Sequence, residues 1–182
     1  MSKQRFVLLL ILVGALSRLI PHPANFTAVG AIALFAGAQI KSQRFAFLVP
    51  VLALWISDLL INNILYASYY DSFVFFTEGF AYMAFAMVLA VMIGQQLLSK
   101  FSVGRLFSGS LLSALLFFVI TNFGVWLSAT SIYPATAEGL LLCYEAAIPF
   151  FRNDALGTLV YSGVLFGLYN WVANKSVLPA KA

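Results

Sequence analysis

The sequence predicts an all-α membrane protein with six transmembrane helices and an outer-face cap between the fifth and the sixth. Three observations carry that expectation. Of the 182 residues, 63% are apolar and 9% charged, where an ordinary soluble domain has roughly half and about 25%. Ten basic and six acidic side chains are too few to keep the surface of so small a fold in water. A mean hydropathy of +0.98, with 18 Phe, is the reverse of the composition of a disordered chain. The apolar residues also fall into six runs separated by polar or turn-forming breaks, which matches a length of roughly 30 residues per span and loop. Finally, basic residues mark every second break.

Residues 6–20 form the first span, preceded by Lys3 and Arg5, and residues 27–40 the second. Both are short against the roughly 20 residues a bilayer asks for, so they recruit flanking residues or lie partly inside the protein. The pairs Ala24/Ala28 and Ala33/Gly37 give the small-xxx-small spacing that lets helices approach closely. Between these spans two prolines, Pro21 and Pro23, deny a regular helix. The third span, residues 45–64, carries Trp55, Asp58 and Asn62 at i, i+3 and i+7, on one face. Residues 79–98 form the fourth. The fifth, residues 106–128, repeats Phe118, Asn122 and Trp126 at every fourth position. The sixth covers residues 155–173, with Asp154 reading as its N-terminal cap.

Between the last two spans, residues 139–151 form an apolar stretch that holds Cys143, Tyr144 and Glu145 and is interrupted by Pro149. A piece this short cannot cross about 30 Å of hydrocarbon as a helix. It is therefore expected to be a re-entrant or surface-lying cap, packed on protein over an outward-facing pocket.

Lys3, Arg5, Lys41, Arg44, Lys100, Arg105, Lys175 and Lys181 all fall on one side of a six-span chain. The positive-inside rule makes that side cytoplasmic, with both termini inside and the protein in the inner (plasma) membrane as a single domain, residues 1–182. The competing reading of the first span is a cleaved signal peptide, which leaves five helices. A basic patch interleaved with aromatics is missing, so nucleic acid is not an expected partner. One His and one Cys do not supply a common zinc site, and no cofactor is expected. An intramembrane hydrolase needs a paired His, His-Glu or Ser-His constellation that the single His22 does not supply, and a Cys143/His22 dyad lacks an evident orienting group, so an enzyme is not expected either. No GxxxxGK[ST] motif occurs, which leaves any ATP coupling to another chain.

A charge inside a span faces the protein interior and finds a partner. Arg18, near the outer end of span one, is therefore expected to pair with Asp58, as a ligand contact or as a clasp between helices. Asn122 is the stronger candidate for a solute, since a buried amide both donates and accepts. Trp55 and Trp126 also read as interfacial anchors, and His22 as a structural residue of its Pro-flanked loop. Glu145 and Arg152 read either as a lid ion pair or as solvated charges. The candidate binding set is Arg18, His22, Asn25, Asp58, Asn62, Asn122, Trp126, Tyr144 and Glu145.

The run from Ser17-Arg18-Leu19-Ile20-Pro21-His22-Pro23-Ala24-Asn25-Phe26-Thr27 to Ala31, the segment Leu34-Phe35-Ala36-Gly37-Ala38, and the stretch from Pro50 to Ser57-Asp58 resemble a family of uncharacterised small bacterial membrane proteins. Thr121-Asn122-Phe123-Gly124-Val125-Trp126 and Cys143-Tyr144-Glu145-Ala146-Ala147-Ile148-Pro149-Phe150-Phe151 match its second half. More remotely, the layout is similar to the substrate-binding S components of energy-coupling factor transporters. That resemblance implies six helices, a vitamin pocket near the outer face, a first loop acting as a lid, and an energising ATP-driven module as partner. The chain departs from it on the first helix, where only Gly14 and Ala15 are small, so a solitary transporter is the alternative to docking on that module.

The function expected is binding and uptake of a small water-soluble nutrient such as a vitamin, with the lipid bilayer and the solute as partners. A structural or assembly subunit is the alternative class, and an intramembrane enzyme acting on lipid or peptide through a Cys143/His22 dyad the less favoured one.

Overall fold

The computed structural model describes residues 2–174, and its described residues hold six α-helices and no strand. Helix α1 spans Lys3–Leu16, started by the Ser2 hydroxyl accepting from the Arg5 N–H and extended by a 3₁₀ turn over Ser17–Leu19. Helix α2 is Val29–Gln39 and α3 is Gln43–Leu60, which runs on through a π-helical turn to Leu65. Helix α4 spans Phe80–Leu97, α5 Val103–Leu127, and α6 Ala137–Asn174. Ser102 caps α5 as Ser2 caps α1, its hydroxyl accepting from the Arg105 N–H. Four segments are long and apolar enough to cross a membrane, Gln43–Leu65, Phe80–Leu97, Val103–Leu127 and Ala137–Ala173. By length and composition they are compatible with a place in a membrane. The expected Lys175 and Lys181 markers lie outside the described residues.

The short α2 is the hub. Every residue from Val29 to Gly37 is buried, and α2 packs against each of the other five helices. Because α2 is enclosed on all sides, its side chains need no polar face, and at about 16 Å it lies within the bundle. Its closest neighbour is α4. A Cβ on Gly37 would stand 2.2 Å from the Val91 carbonyl oxygen, and one on Gly94 would stand 2.2 Å from the Leu34 carbonyl oxygen. The two helices thus cross backbone to backbone, with a glycine of each seated on a carbonyl of the other. Of the small residues noted in the sequence, Ala33 and Gly37 are both fully enclosed.

Helix α1 runs antiparallel to α2, since Gly14 packs on Ile32 and Ala28 while the Gln4 side chain reaches the Gln39 carbonyl at 3.2 Å. Helix α5 packs along both α4 and α6. Large apolar side chains such as Leu8, Leu12, Leu48, Phe107, Leu115, Val160 and Val164 are exposed on the outside of the bundle, as a lipid-facing surface would have it.

Two expectations fail in α6. Residues 139–151 are not a separate cap: they are the first turns of a single 38-residue helix that continues through Pro149. Proline removes one backbone hydrogen bond, but the segment is held on α5 along its length. The Cys143 thiol donates to the Asn122 carbonyl at 3.4 Å and the Tyr144 hydroxyl to the Val119 carbonyl at 2.7 Å. Nor is Asp154 an N-terminal cap, because it lies in the middle of that helix, buried.

Candidate functional site

A cavity of about 250 Å³ opens where α1, α3 and α5 approach their ends and α2 and α4 begin, beside the middle of α6. Every helix or its flank contributes to it. Arg18 comes from the turn after α1, Asn25 and Thr27 from the following loop, Val29 from α2, Leu54 from α3 and Met83 from α4. Phe117, Phe118, Thr121, Asn122 and Val125 come from α5, and Phe150, Phe151 and Asp154 from α6. Apolar walls with a few convergent polar groups are the usual make-up of a small-molecule site.

The loop after α1 is seated on α6 by two devices. The Asn153 side chain donates to the Ala24 carbonyl at 2.9 Å. Gly157, lacking a side chain, lets the Phe26–Thr27 backbone lie within about 3 Å of where its Cβ would be. Asn25 takes a left-handed conformation, φ 62°, which Asn tolerates better than most residues. Thr27 donates its N–H to the Asn25 carbonyl at 3.0 Å. The turn therefore presents Asn25 and Thr27 to the cavity.

The Arg18–Asp58 pair is present, with Nη1 at 2.7 Å from Oδ1. The same guanidinium donates to the Ser57 hydroxyl and, at 3.4 Å, to the Leu54 carbonyl. The other Asp58 oxygen accepts from the Thr77 hydroxyl at 2.9 Å, and the Asn62 amide donates to that hydroxyl at 2.9 Å. Arg18 thus lines the cavity while Asp58 and Asn62 lie behind it.

The polar stripe of α3 binds its own following loop. Asn63 joins in, accepting from the Val74 N–H at 2.7 Å and donating to the Val74 carbonyl at 2.9 Å. The Trp55 indole donates to the Phe75 carbonyl at 2.9 Å. These contacts satisfy backbone groups of residues 73–77 that have no ladder of their own.

Of the nine candidate residues, Arg18, Asn25 and Asn122 line the cavity, with Asp58 bonded to its wall. Asn122 donates to the Phe118 carbonyl at 2.8 Å, which leaves its side-chain oxygen as an acceptor. His22 is exposed, its Nδ1 at 2.6 Å from the Ile20 carbonyl oxygen. The Trp126 indole donates to the Pro134 carbonyl at 2.9 Å, tying down the connection to α6. Tyr144 packs against Phe118 with the rings tilted, centres 5.4 Å apart, and supports the wall from behind. Glu145 and Arg152 are both exposed, and the ion pair found among the described residues is Arg18–Asp58.

Sequence reasoning missed Asp154, together with Phe117, Phe150 and Phe151. The carboxylate is 6% exposed, and its Oδ2 has no hydrogen-bond partner. The signal was in the sequence: Asp154, Thr158 and Ser162 recur at every fourth position, the mark of one helix face. Thr158 and Ser162 are fully buried and their hydroxyls are likewise unpartnered.

A second cluster lies away from the cavity. Glu78 accepts hydrogen bonds from the Ser128 and Thr130 hydroxyls, joining the start of α4 to the end of α5. Those donors hold its carboxyl below the ordinary value of 4.5.

The described residues thus form an all-helical bundle, with four segments long and apolar enough to cross a membrane, around a polar and aromatic cavity that is a candidate small-molecule site. The chain belongs to the family of unknown function DUF6580, whose family model matches residues 1–181. That agrees with the uncharacterised family expected from the sequence strings. Neither a curated protein nor a solved structure matches the chain.

Proposed function

We propose that this is a membrane-embedded binding and uptake protein for a small, partly aromatic, water-soluble nutrient such as a vitamin. The observation that carries this reading is the cavity itself, in which Arg18, Asn25, Thr27, Asn122 and Asp154 stand among four Phe rings. A structural subunit has no use for polar groups arranged this way in an apolar bundle, each of which costs free energy when it lacks a partner. The reading assigns the protein no catalytic role.

The protein sits in the inner membrane with both termini cytoplasmic and the cavity facing outward. Supporting this, Lys3, Arg5, Lys41, Arg44, Lys100 and Arg105 lie at the helix ends remote from the cavity. Release inward requires the helices to rock against one another. Gly14 and Ala15, the small residues of α1, are buried against the bundle, while Leu8, Leu9, Leu12 and Val13 face outward. This supports a solitary transporter over an S component docked through α1 on an ATP-driven module.

Native mass spectrometry after gentle purification tests the reading, with thermal shifts across a vitamin panel beside it. A retained small molecule, lost in Asn122→Leu and Phe118→Ala and kept in Val160→Ala on the outer surface, is the expected result. If no mass is retained and no compound shifts the unfolding temperature, the proposal fails.

A further inference from the structure

Charge in the cavity does not balance. Arg18 brings one positive charge, already matched by Asp58 at 2.7 Å. Asp154 on α6 adds a second carboxylate, more than nine-tenths buried, lining the cavity, with Oδ2 unpartnered. Among the described residues no other Lys, Arg or His lines this cavity. An ionised carboxylate in an apolar bundle requires a counter-charge or a proton, and the protein supplies no counter-charge. Phe117, Phe118, Phe150 and Phe151 line the same cavity, and aromatic rings attract cations electrostatically. Asp58 matches the charge of the Arg18 guanidinium through Nη1, while the buried Nε of Arg18 has no hydrogen-bond partner, so the anionic probe below is the direct competitor to this assignment.

We propose that the ligand of this cavity is a protonated organic amine with an apolar or aromatic body, and that Asp154 is its counter-ion. The inference rests on the binding reading above and narrows it to a chemical class. The ammonium donates to the Asp154 carboxylate, the Asn122 side-chain oxygen is a second acceptor in reach of the cavity, and the Phe side chains enclose the body.

The test is a set of probes of matched shape and different charge, titrated by calorimetry into the full chain in lipid nanodiscs. These are 2-phenylethylammonium, neutral 2-phenylethanol, anionic 3-phenylpropionate, and sodium chloride alone. The expected result is a preference for the ammonium over the alcohol of about tenfold or more, the worth of a charge-assisted hydrogen bond. Asp154→Asn should abolish that preference and Asp154→Glu retain it, with the apo unfolding temperature of each variant reporting that it is folded. Alcohol or carboxylate binding as tightly as the ammonium overturns the charge assignment and leaves a binding protein. Equal response to sodium chloride replaces the organic amine by an inorganic cation and also overturns it. If no probe binds and no small molecule copurifies, the binding reading itself falls, and this inference with it.

Discussion

Nη1 of Arg18 lies 2.7 Å from Oδ1 of Asp58, joining the turn after α1 to the last turns of α3. The side chains of Arg18 and Asp58 are 14% and 7% exposed, so the pair is largely withdrawn from water. Removing a single partner leaves an uncompensated charge, which costs about 3–5 kcal/mol. Arg18→Met is therefore expected to lower the unfolding temperature sharply. The double variant Arg18→Met with Asp58→Leu should recover most of that loss, because it removes both charges together. A double variant as unstable as the single one would show that the clasp itself, and not the orphaned charge, holds the helices.

The crossing of α2 and α4 leaves no room for a methyl group. Gly37→Ala would bring Cβ to 2.2 Å from the Val91 carbonyl oxygen, and Gly94→Ala would meet Leu34 in the same way. Backbone must move in either case, at a cost of about 1–3 kcal/mol or more. Gly104→Ala, where nothing lies within 4 Å of the new atom, is the matched control and should leave thermal unfolding nearly unchanged.

Gly79 is different, because it opens α4 in the left-handed region at φ 76° with open space around it. Gly79→Ala meets strain in the backbone alone, roughly 1–2 kcal/mol. Chemical denaturation should register that loss, with the cavity's ligand affinity unaffected.

Glu78 gives a pH dependence with a definite sign. Its carboxyl lies below 4.5 because Ser128 and Thr130 donate to it. A depressed folded-state value means the contribution is present above 4.5 and is lost as pH falls through the folded value. Acidification through that window should loosen residues 66–79 from the end of α5, seen as faster amide exchange in both. The change should be small, since Glu78 is solvent-exposed, and Glu78→Gln should remove it. Exchange that responds equally to acid in wild type and Glu78→Gln would rule the clasp out as its cause.

The positions of the helices were legible because each is a run of apolar residues closed by charged or proline-containing breaks. Helix α2 runs over Val29–Gln39 within the predicted 27–40, and α4 over Phe80–Leu97 within 79–98. What periodicity gave no access to was the partner of each polar face. Trp55, Asp58 and Asn62 share a face as their spacing requires, yet Trp55 and Asn62 bind the chain that follows α3, and a loop without periodicity leaves no trace of where it folds back. Asp154 was hidden by its neighbours: Pro149 before it suggested a break, so the carboxylate took on the look of a cap. The continuity of α6 depends on contacts with α5, which lie in another part of the sequence.

At 38 residues and about 1.5 Å per residue, α6 is about 57 Å long, nearly twice the roughly 30 Å of a hydrocarbon core. Phe150, Phe151 and Asp154 sit near its midpoint, just past Pro149, where the helix has lost one of its own hydrogen bonds. The one backbone hydrogen bond that Pro149 removes is thus lost immediately before Phe150 and Phe151, at the cavity wall.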